Sequence, residues 1–501
     1  MAKTSWDQLD PSELARQQDR KLRRQIRFQL FPYSPFYRRV IEELQIQADG
    51  FMGVDDLQKL PLVDRQALSS NPEDFVLHPS RPLIQRWASG SQLTSIFFNK
   101  ILKGIDYAES DLSNEYAPVH VLETTGTTGE PLPIKLSRRD VAVLATEGMR
   151  MLEVAGVRTG DVLLNLLEPS SAGGFWPVWL GAVALGAEQT APGFLEPEQA
   201  AALAKKTHAS VVVAIAEDAL LLLEAAGESG LPALRQLVLG PGPLGPTLRK
   251  RLSESAGPQV RIVGTYGFAE GRTLWAECLQ GSGSPDAGYH LSGDLQIFEI
   301  ISPRERRTVK PGEPGEVVFT GLDHRGTALA RYRPGDVAMG GLVPGRCRYC
   351  GRLVDRIIGP IRRAGNLIEL QLGGEDLMAV DVETLADALA HPALQAWQVE
   401  VRKSEGDPRG PDELYVLFDP KGKKDPGQVA AELDRVFRTE IGFSPTQFVL
   451  SDRAKGGVVD LRPIPVEAGS VLVSAGWHED SPRVRLWRTP NPEELGEAKP
   501  N

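Results

Sequence analysis

Glu123-Thr124-Thr125-Gly126-Thr127-Thr128-Gly129-Glu130-Pro131 puts two glycines and four threonines into nine residues, just before the amphipathic segment that starts near Ser137. Glycine permits the positive-φ backbone that turns successive N–H groups to one side, and threonine hydroxyls add further donors. The combination suits a polyphosphate. No Gly-Lys-Ser/Thr follows, so this is not a Walker A loop. Standing alone, the stretch also reads as a flexible Thr/Gly turn, and its meaning depends on what surrounds it.

Outward from the loop, short β-rich runs alternate with helical ones. Residues 119–122, 162–167, 211–215, 236–239 and 261–263 are apolar, β-branched strand candidates, and residues 139–155, 176–185, 197–205, 216–226 and 246–255 have helical periodicity. This alternation predicts parallel sheets covered by helices. Residues 296–301 and 315–320 read as antiparallel strands, with Pro-Gly turns at 311–312 and 314–315 between them. Upstream, residues 11–30 and 36–44 read as helices, the second opened by Ser34-Pro35. Beyond Gly359-Pro360 the pattern restarts as a small α+β set, with helices at 381–390 and 427–437 and strands at 396–402 and 413–418. The expected fold class is α/β: a large N-terminal domain over 1–358, a small C-terminal α+β domain over 359–475, and an extended tail over 476–501 rich in Pro, Glu and Arg.

Composition bounds the partners. The chain has 501 residues, 41% hydrophobic and 24% charged, with a formal net charge of −10. Basic residues are scattered, which argues against nucleic acid or an anionic membrane as the main partner. No charged-then-apolar leader opens the sequence, and the longest apolar stretch, 211–226, is broken by Glu217, Asp218 and Glu224. A cytoplasmic protein without a membrane span is the expectation. The three cysteines, Cys278, Cys347 and Cys350, do not suggest a disulfide framework.

Three further segments follow the loop in order: Val263-Gly-Thr-Tyr266-Gly267-Phe-Ala-Glu270-Gly271, Arg331-Tyr-Arg-Pro-Gly-Asp336-Val337 and Cys350-Gly-Arg352. With Ser34-Pro-Phe-Tyr-Arg-Arg39, Leu57-Gln-Lys-Leu-Pro-Leu62, Ala155-Gly-Val-Arg-Thr-Gly-Asp161 and Gly312-Glu-Pro-Gly-Glu-Val317, this set resembles the adenylate-forming acyl-CoA synthetase superfamily, in particular its phenylacetate-CoA ligase-like branch. The resemblance spans most of 20–358 and, more weakly, 365–460. It implies ATP-dependent activation of an aryl or acyl carboxylic acid to an acyl-adenylate and transfer to coenzyme A. A carrier-protein thiol as acceptor, or a nucleotide-binding scaffold without turnover, are the alternatives. It also implies that the small domain is mobile and rotates between the two half-reactions.

Roles carry over by position. Thr127, Thr128 and Gly129 are expected at the β- and γ-phosphates. Gly240, Pro241 and Gly242 are expected at the adenine, with Tyr266 and Gly267 against the same ring, where an aromatic face stacks on a base. Glu270 is expected to ligate Mg2+ and Asp336 to accept from both ribose hydroxyls, with Arg356 a further phosphate or ribose contact. Lys455, in Asp452-Arg-Ala-Lys-Gly-Gly-Val-Val-Asp460, occupies the setting of the family's catalytic lysine; an ordinary surface lysine is the other reading. Gly173, Gly174, Phe175 and Trp176 correspond to the region that shapes the acyl pocket, although Phe175 and Trp176 equally read as the buried start of a helix. At the hinge, the family's arginine is replaced by Pro360, which fixes φ and bears on the thioester step. Some members of the branch carry zinc at motifs matching Cys278, His290, Cys347 and Cys350; a Cys3His set suits a closed structural zinc site, and buried thiols beside a hydrogen-bonded histidine are the alternative.

Overall fold

In the computed structural model the chain divides into two compact units, Met1–Ile361 and Arg362–Asn501, each described by itself. The structure describes residues 5–47, 50–87, 114–124, 131–170, 174–193, 195–227, 229–242, 244–284, 286–302, 307–364, 367–370, 378–389, 391, 393–403, 411–441, 443–450, 471–478 and 481–488. The central Thr/Gly loop residues 125–130, residues 88–113, and Lys455 lie outside the described residues.

The larger unit opens with α1 (Pro11–Gln25), capped by Asp10, and α2 (Pro35–Leu44), capped by Ser34. Both have Pro at the first helical position, where a missing N–H costs nothing. A short strand β1 (Val63–Asp64) leads into α3 (Arg65–Ser70), whose N-cap Asp64 accepts from the Ala67 N–H. Next come strands β2 (Pro118–Glu123) and β3 (Pro133–Ser137), an antiparallel pair. Here the structure corrects the expectation that 119–122 belongs to the parallel alternation. The Thr/Gly stretch joins the two strands of a ribbon, and a further strand, Pro-Ile-Lys-Leu-Ser, intervenes before the helix. That helix, α4 (Arg138–Ala155), starts with a capping box between Ser137 and Asp140 and stops at Gly156, whose φ is 88°.

The parallel core follows: β4 (Val162–Asn165), α5 (Phe175–Leu185), β5 (Glu188–Thr190), α6 (Pro197–Thr207), β6 (Val211–Ala214), α7 (Ala216–Ala226), β7 (Gln236–Leu239), α8 (Pro246–Ala256) and β8 (Arg261–Gly267). The strands pair in parallel in the order β5-β4-β6-β7-β8, and β9 (Leu274–Ala276) closes the edge antiparallel to β8. Alternation along each strand feeds two cores. Leu164, Val212, Ala214, Leu237 and Leu239 meet Ala200, Leu220, Leu223 and Leu252. Leu163, Val211, Val213, Val238 and Val263 meet Leu152, Ala155, Val178 and Ala182 on the other side. Both faces are therefore covered, which is why β6 and β7 are continuous apolar or buried runs rather than alternating ones. The α4–α5 crossing is close because both contact points are glycine. A Cβ on Gly148 would lie 1.9 Å from the Pro177 carbonyl oxygen, and one on Gly181 would lie 2.3 Å from the Gly148 carbonyl carbon.

The rest of the unit is antiparallel. After β10 (Tyr289–His290), β11 (Gln296–Ile301) pairs along one edge of β12 (Gly315–Gly321). The other edge of β12 takes β13 (Tyr332–Arg333) and then β14 (Asp336–Ala338), and β1 adds in parallel to β13. A small sheet of β15 (Leu342–Val343), β16 (Arg356–Ile357) and β10 carries the cysteine region.

The smaller unit begins in β17 (Ile361–Arg363) and continues through the hairpin β18 (Leu367–Leu370) and β19 (Met378–Asp381) to α9 (Val382–Leu389). Its main sheet is built from β20 (Leu394–Lys403), β21 (Asp412–Pro420), β22 (Gln447–Leu450), β23 (Val471–His478) and β24 (Ser481–Arg488), ordered β22-β21-β20-β23-β24, with α10 (Pro426–Val436) packing Val429 and Leu433 against Leu414, Val416 and Phe418. Residues 476–478 and 481–488 thus depart from the extended tail expected over 476–501. They belong to an antiparallel β23–β24 pair, and the Arg-Val-Arg-Leu alternation at 483–486 has the period of a strand.

Candidate active site

The C-terminal end of β8 delivers Tyr266 and Gly267, and a single 3-10 turn, Ala269–Gly271, then carries Glu270. The turn is held from behind: a Cβ on Gly267 would lie 2.5 Å from the Thr273 carbonyl oxygen, so only glycine lets the chain double back here. The Tyr266 hydroxyl donates to Asp336 Oδ2 at 2.8 Å, and Asp336, the first residue of β14, is 4% exposed. The Tyr332 hydroxyl, from β13, donates to Glu270 Oε1 at 2.5 Å. The guanidinium of Arg65, first residue of α3, lies 3.7 Å from the same oxygen and donates to Thr124 Oγ1 at 2.8 Å. Thr124 Oγ1 also accepts from the Leu132 N–H at 3.1 Å, tying together the two ends of the Thr/Gly stretch.

Four separate parts of the chain therefore meet at the base of that stretch: α3, the end of β2, the β8 turn and β13. Glu270 and Asp336, predicted from sequence, are each buried and each held by a tyrosine hydroxyl. Thr127, Thr128 and Gly129 fall outside the described residues, although Thr124 and Leu132 on either side are placed. Arg65, Thr124 and Tyr332 are the functional candidates that sequence reading missed. Tyr332 lies inside the Arg331–Val337 motif, and Arg65 follows the Leu57–Leu62 signature, so adjacency to both motifs was the available signal.

The Gly240-Pro241-Gly242 loop sits beside this centre. Gly240 has φ 132°, and a Cβ there would lie 2.3 Å from Thr265 Oγ1, the hydroxyl that donates to the Leu239 carbonyl at 3.0 Å. Gly174 presses on the same loop, since its Cβ would lie 2.8 Å from Pro241 Cδ. The two residues after Gly174 separate in role. Phe175 is buried in the core under the parallel sheet, while the Trp176 ring stands 4.6 Å from His120 of β2 and its indole N–H donates to the Ser170 carbonyl at 3.0 Å. Gly173 lies outside the described residues. Tyr266 itself packs among Phe268, Trp275 and Tyr289, with ring centres 5.7–6.0 Å apart. Arg356 sits in register opposite His290, and its guanidinium donates to the Asp286 carbonyl at 3.3 Å.

The cysteine region forms a second centre. Cys278 and Cys347 Sγ are 3.8 Å apart, Cys350 Sγ is 3.3 Å from His290 Nε2, and the four donor atoms all lie within 4.8 Å of one another. Thiolates about 2.3 Å from one zinc ion at tetrahedral angles would be roughly 3.8 Å apart, so the donor set and spacing fit that metal. Gly351, at φ 74°, turns the knuckle, and its N–H donates to the Cys347 carbonyl. The thiols do not titrate alike. The hydrogen bond from Cys278 and the nearby His290 pull Cys350 far below a free thiol, whereas that same contact with Cys350, together with burial, pushes Cys278 up. Such a gathering of sulfur atoms favours thiolate and a positive ion among them.

A family model for AMP-binding enzymes matches residues 81–324. The phenylacetate-coenzyme A ligase of Thermus thermophilus is 25% identical over 460 residues, covering 90% of this chain and 88% of that one. The phenylacetate-coenzyme A ligase of Escherichia coli is 25% identical over 333 residues, covering 65% of this chain and 66% of its own. Among solved structures, 2-hydroxyisobutyryl-CoA ligase in the postadenylation state in complex with 2-HIB-AMP superposes with a TM-score of 0.67 at 18% identity, covering 93% of each chain. Its open conformation in complex with 2-HIB-AMP and CoA gives 0.65 at 18% identity over 92% of this chain and 93% of that one. At that identity the likeness shows the fold. Among the described residues no helix is long and apolar enough to cross a membrane.

Proposed function

We propose that the chain is an adenylate-forming enzyme of the AMP-binding family that activates an aryl or acyl carboxylic acid with ATP and passes the acyl group to coenzyme A. The observation that carries this reading is the convergence of Arg65, Thr124, Glu270 and Tyr332 at the base of the Thr/Gly stretch, with the Tyr266–Asp336 pair beside it. A guanidinium next to a Thr/Gly loop suits phosphate, and a buried carboxylate suits either a hard cation or a pair of hydroxyls.

In the first half-reaction a substrate carboxylate oxygen attacks the α-phosphorus of ATP, the bond to pyrophosphate breaks, and an acyl-adenylate forms. Little covalent help is required of the protein; placement and charge neutralisation do most of the work. Thr127, Thr128 and Gly129 hold the β- and γ-phosphates in this reading, and Arg65 adds a positive charge at the root of the same loop. Asp336 accepts from the ribose hydroxyls while Tyr266 fixes one of its oxygens. Glu270, with a neutral phenol on Oε1, fits a magnesium ion, which when bound would neutralise phosphate charge. The adenine lies along Gly240–Gly242, and the acid enters beside Gly174 and Trp176. Lys455 of the smaller unit is assigned to support adenylation. In the second half-reaction the thiol attacks the acyl carbon and AMP leaves. The relatives named above are coenzyme A ligases, which favours that thiol over a carrier protein.

The Cys278, His290, Cys347 and Cys350 set is assigned to one structural zinc ion. It would pin the β9–β10 connection to the knuckle that precedes β16, leaving all four protein donors committed to the metal.

ATP–pyrophosphate exchange across a panel of aromatic and aliphatic acids tests the assignment. Acid-dependent exchange, followed by thioester on adding coenzyme A, is the expected result. Measurable ATP binding without exchange for any acid would refute it. Exchange unchanged by Lys455→Ala would remove that lysine from the mechanism.

A further inference from the structure

The two nitrogens of His290 are sorted by their surroundings. Nε2 faces the thiols, 3.3 Å from Cys350 Sγ, while Nδ1 is fully buried and has no hydrogen-bond partner among the described residues. A buried ring N–H without a partner is costly, and a metal-bound histidine donates its second N–H to a carboxylate, carbonyl or water. His290 lines a cavity of about 10 Å3 together with Glu147, Ser292, Met151, Trp275 and Trp6. That is about the space one water molecule requires, and the lining includes a carboxyl and a hydroxyl as well as the imidazole.

Glu147 is an unusual wall for such a cavity. It lies in the middle of α4, only 6% exposed. The Gln296 amide, oriented so that its oxygen accepts from Trp275 Nε1 at 2.5 Å, donates to Glu147 Oε1 at 3.1 Å. One carboxyl oxygen is thereby held by Gln296, and the side chain is fixed against the cavity. Burial pushes its pKa up to about 8, and a carboxyl so enclosed needs local hydrogen-bond partners.

We propose that this cavity holds one ordered water that accepts the Nδ1–H of His290 and donates to the Glu147 carboxyl, making Glu147 a positioning residue for the metal-binding histidine. The inference rests on the zinc reading. It extends the site from the four donor side chains to α4, the helix that also packs against the Trp176-bearing helix α5. The water fixes the imidazole tautomer with Nδ1 protonated and Nε2 directed at the metal.

The test uses the full chain. Zinc content is measured first, and zinc affinity is then measured by competition with a chelator of known affinity for wild type, Glu147→Gln, Glu147→Leu and Ser292→Val. Glutamine keeps an acceptor and should stay near wild type. Leucine removes the acceptor, and valine at 292 fills the cavity without touching Glu147; each should weaken zinc binding roughly 10- to 100-fold. Wild-type affinity in both the leucine and the valine variants, with about one zinc bound to wild type, would overturn the water relay and leave the zinc site standing. A wild-type protein that binds no zinc would instead overturn the metal reading and the relay with it. If the leucine variant does not fold, the valine variant alone decides.

Discussion

Replacing Glu147 by glutamine removes one protonation equilibrium from the interior of the larger unit while keeping the side chain's shape. Burial is the largest influence on this carboxyl, raising its pKa from 4.5 to about 8; Arg150 and Arg272 pull the other way and Asp294 adds to the rise. A folded-state pKa above the unfolded one means that the native state holds the proton more tightly. The associated stability is fully present below about pH 4.5 and is lost as pH rises through about 8. At about 1.4 kcal/mol for each pKa unit, the full swing is on the order of 4–5 kcal/mol, of which residual hydration of the cavity would remove a part. Urea denaturation of both proteins from pH 5 to 9 isolates this group, because every other titrating residue is common to the two. The stability of Glu147→Gln relative to wild type should climb with pH, by about 1.4 kcal/mol per pH unit in the middle of the range. His324, buried and lowered to about 3, acts on the acid side, where its contribution is lost as pH falls, and cancels between the two proteins. Parallel pH profiles would refute the argument, since they would mean that Glu147 ionises in the folded protein as it does in the unfolded chain.

Three other outcomes follow from the geometry. Tyr332→Phe removes the hydroxyl that donates to Glu270 at 2.5 Å, and loss of a hydrogen bond to a charged group, about 1.5–3 kcal/mol, should slow ATP–pyrophosphate exchange by tenfold or more with the fold intact by circular dichroism. Gly181→Ala drives a methyl to 2.3 Å from the Gly148 carbonyl carbon at the α4–α5 crossing; about 1–3 kcal/mol of overpacking should appear as a lower melting temperature in a thermal scan. Gly240→Ala combines a φ of 132° with a 2.3 Å approach to Thr265 Oγ1, and nucleotide titration should show weaker ATP binding because the loop beside Tyr266 must shift.

The parallel sheet was legible because its physics is local. Runs such as Val211-Val-Val-Ala214 and Gln236-Leu-Val-Leu239 can be satisfied only by burial on both faces, and the Gly and Pro residues between them mark where helices start and stop. The β2–β3 ribbon was misread because the run 119–122 has the same composition as a parallel strand, and the partner that makes it antiparallel lies beyond the loop. Residues 481–488 were misread for the opposite reason: bulk composition there suggested a tail, while the short Arg-Val-Arg-Leu alternation carried the strand signal. Among site residues, Glu270, Asp336 and the Gly240 loop sit in recognisable motifs. Arg65 does not, and Thr124 is one of four threonines in its motif; an arginine after a turn and a threonine among threonines acquire their pairing only when folding sets one 2.8 Å from the other.

Glu147 shows how such a residue can be found from sequence after all. On a helix, Leu144, Glu147, Gly148 and Met151 share one face by i, i+3, i+4, i+7 spacing, and all four are buried. Gly148 fixes that face as the one that meets α5, since nothing larger fits against Pro177 and Gly181. A glutamate on the stripe cannot reach solvent by a change of rotamer, as Lys or Arg would by extending along the surface. It must be neutral, paired, or serving a polar group that also has nowhere else to turn. His290 lines the same cavity, and its Nδ1, buried without a partner among the described residues, is such a group. A carboxyl among the apolar residues of a helix's packed stripe therefore predicts a second buried polar group across the cavity.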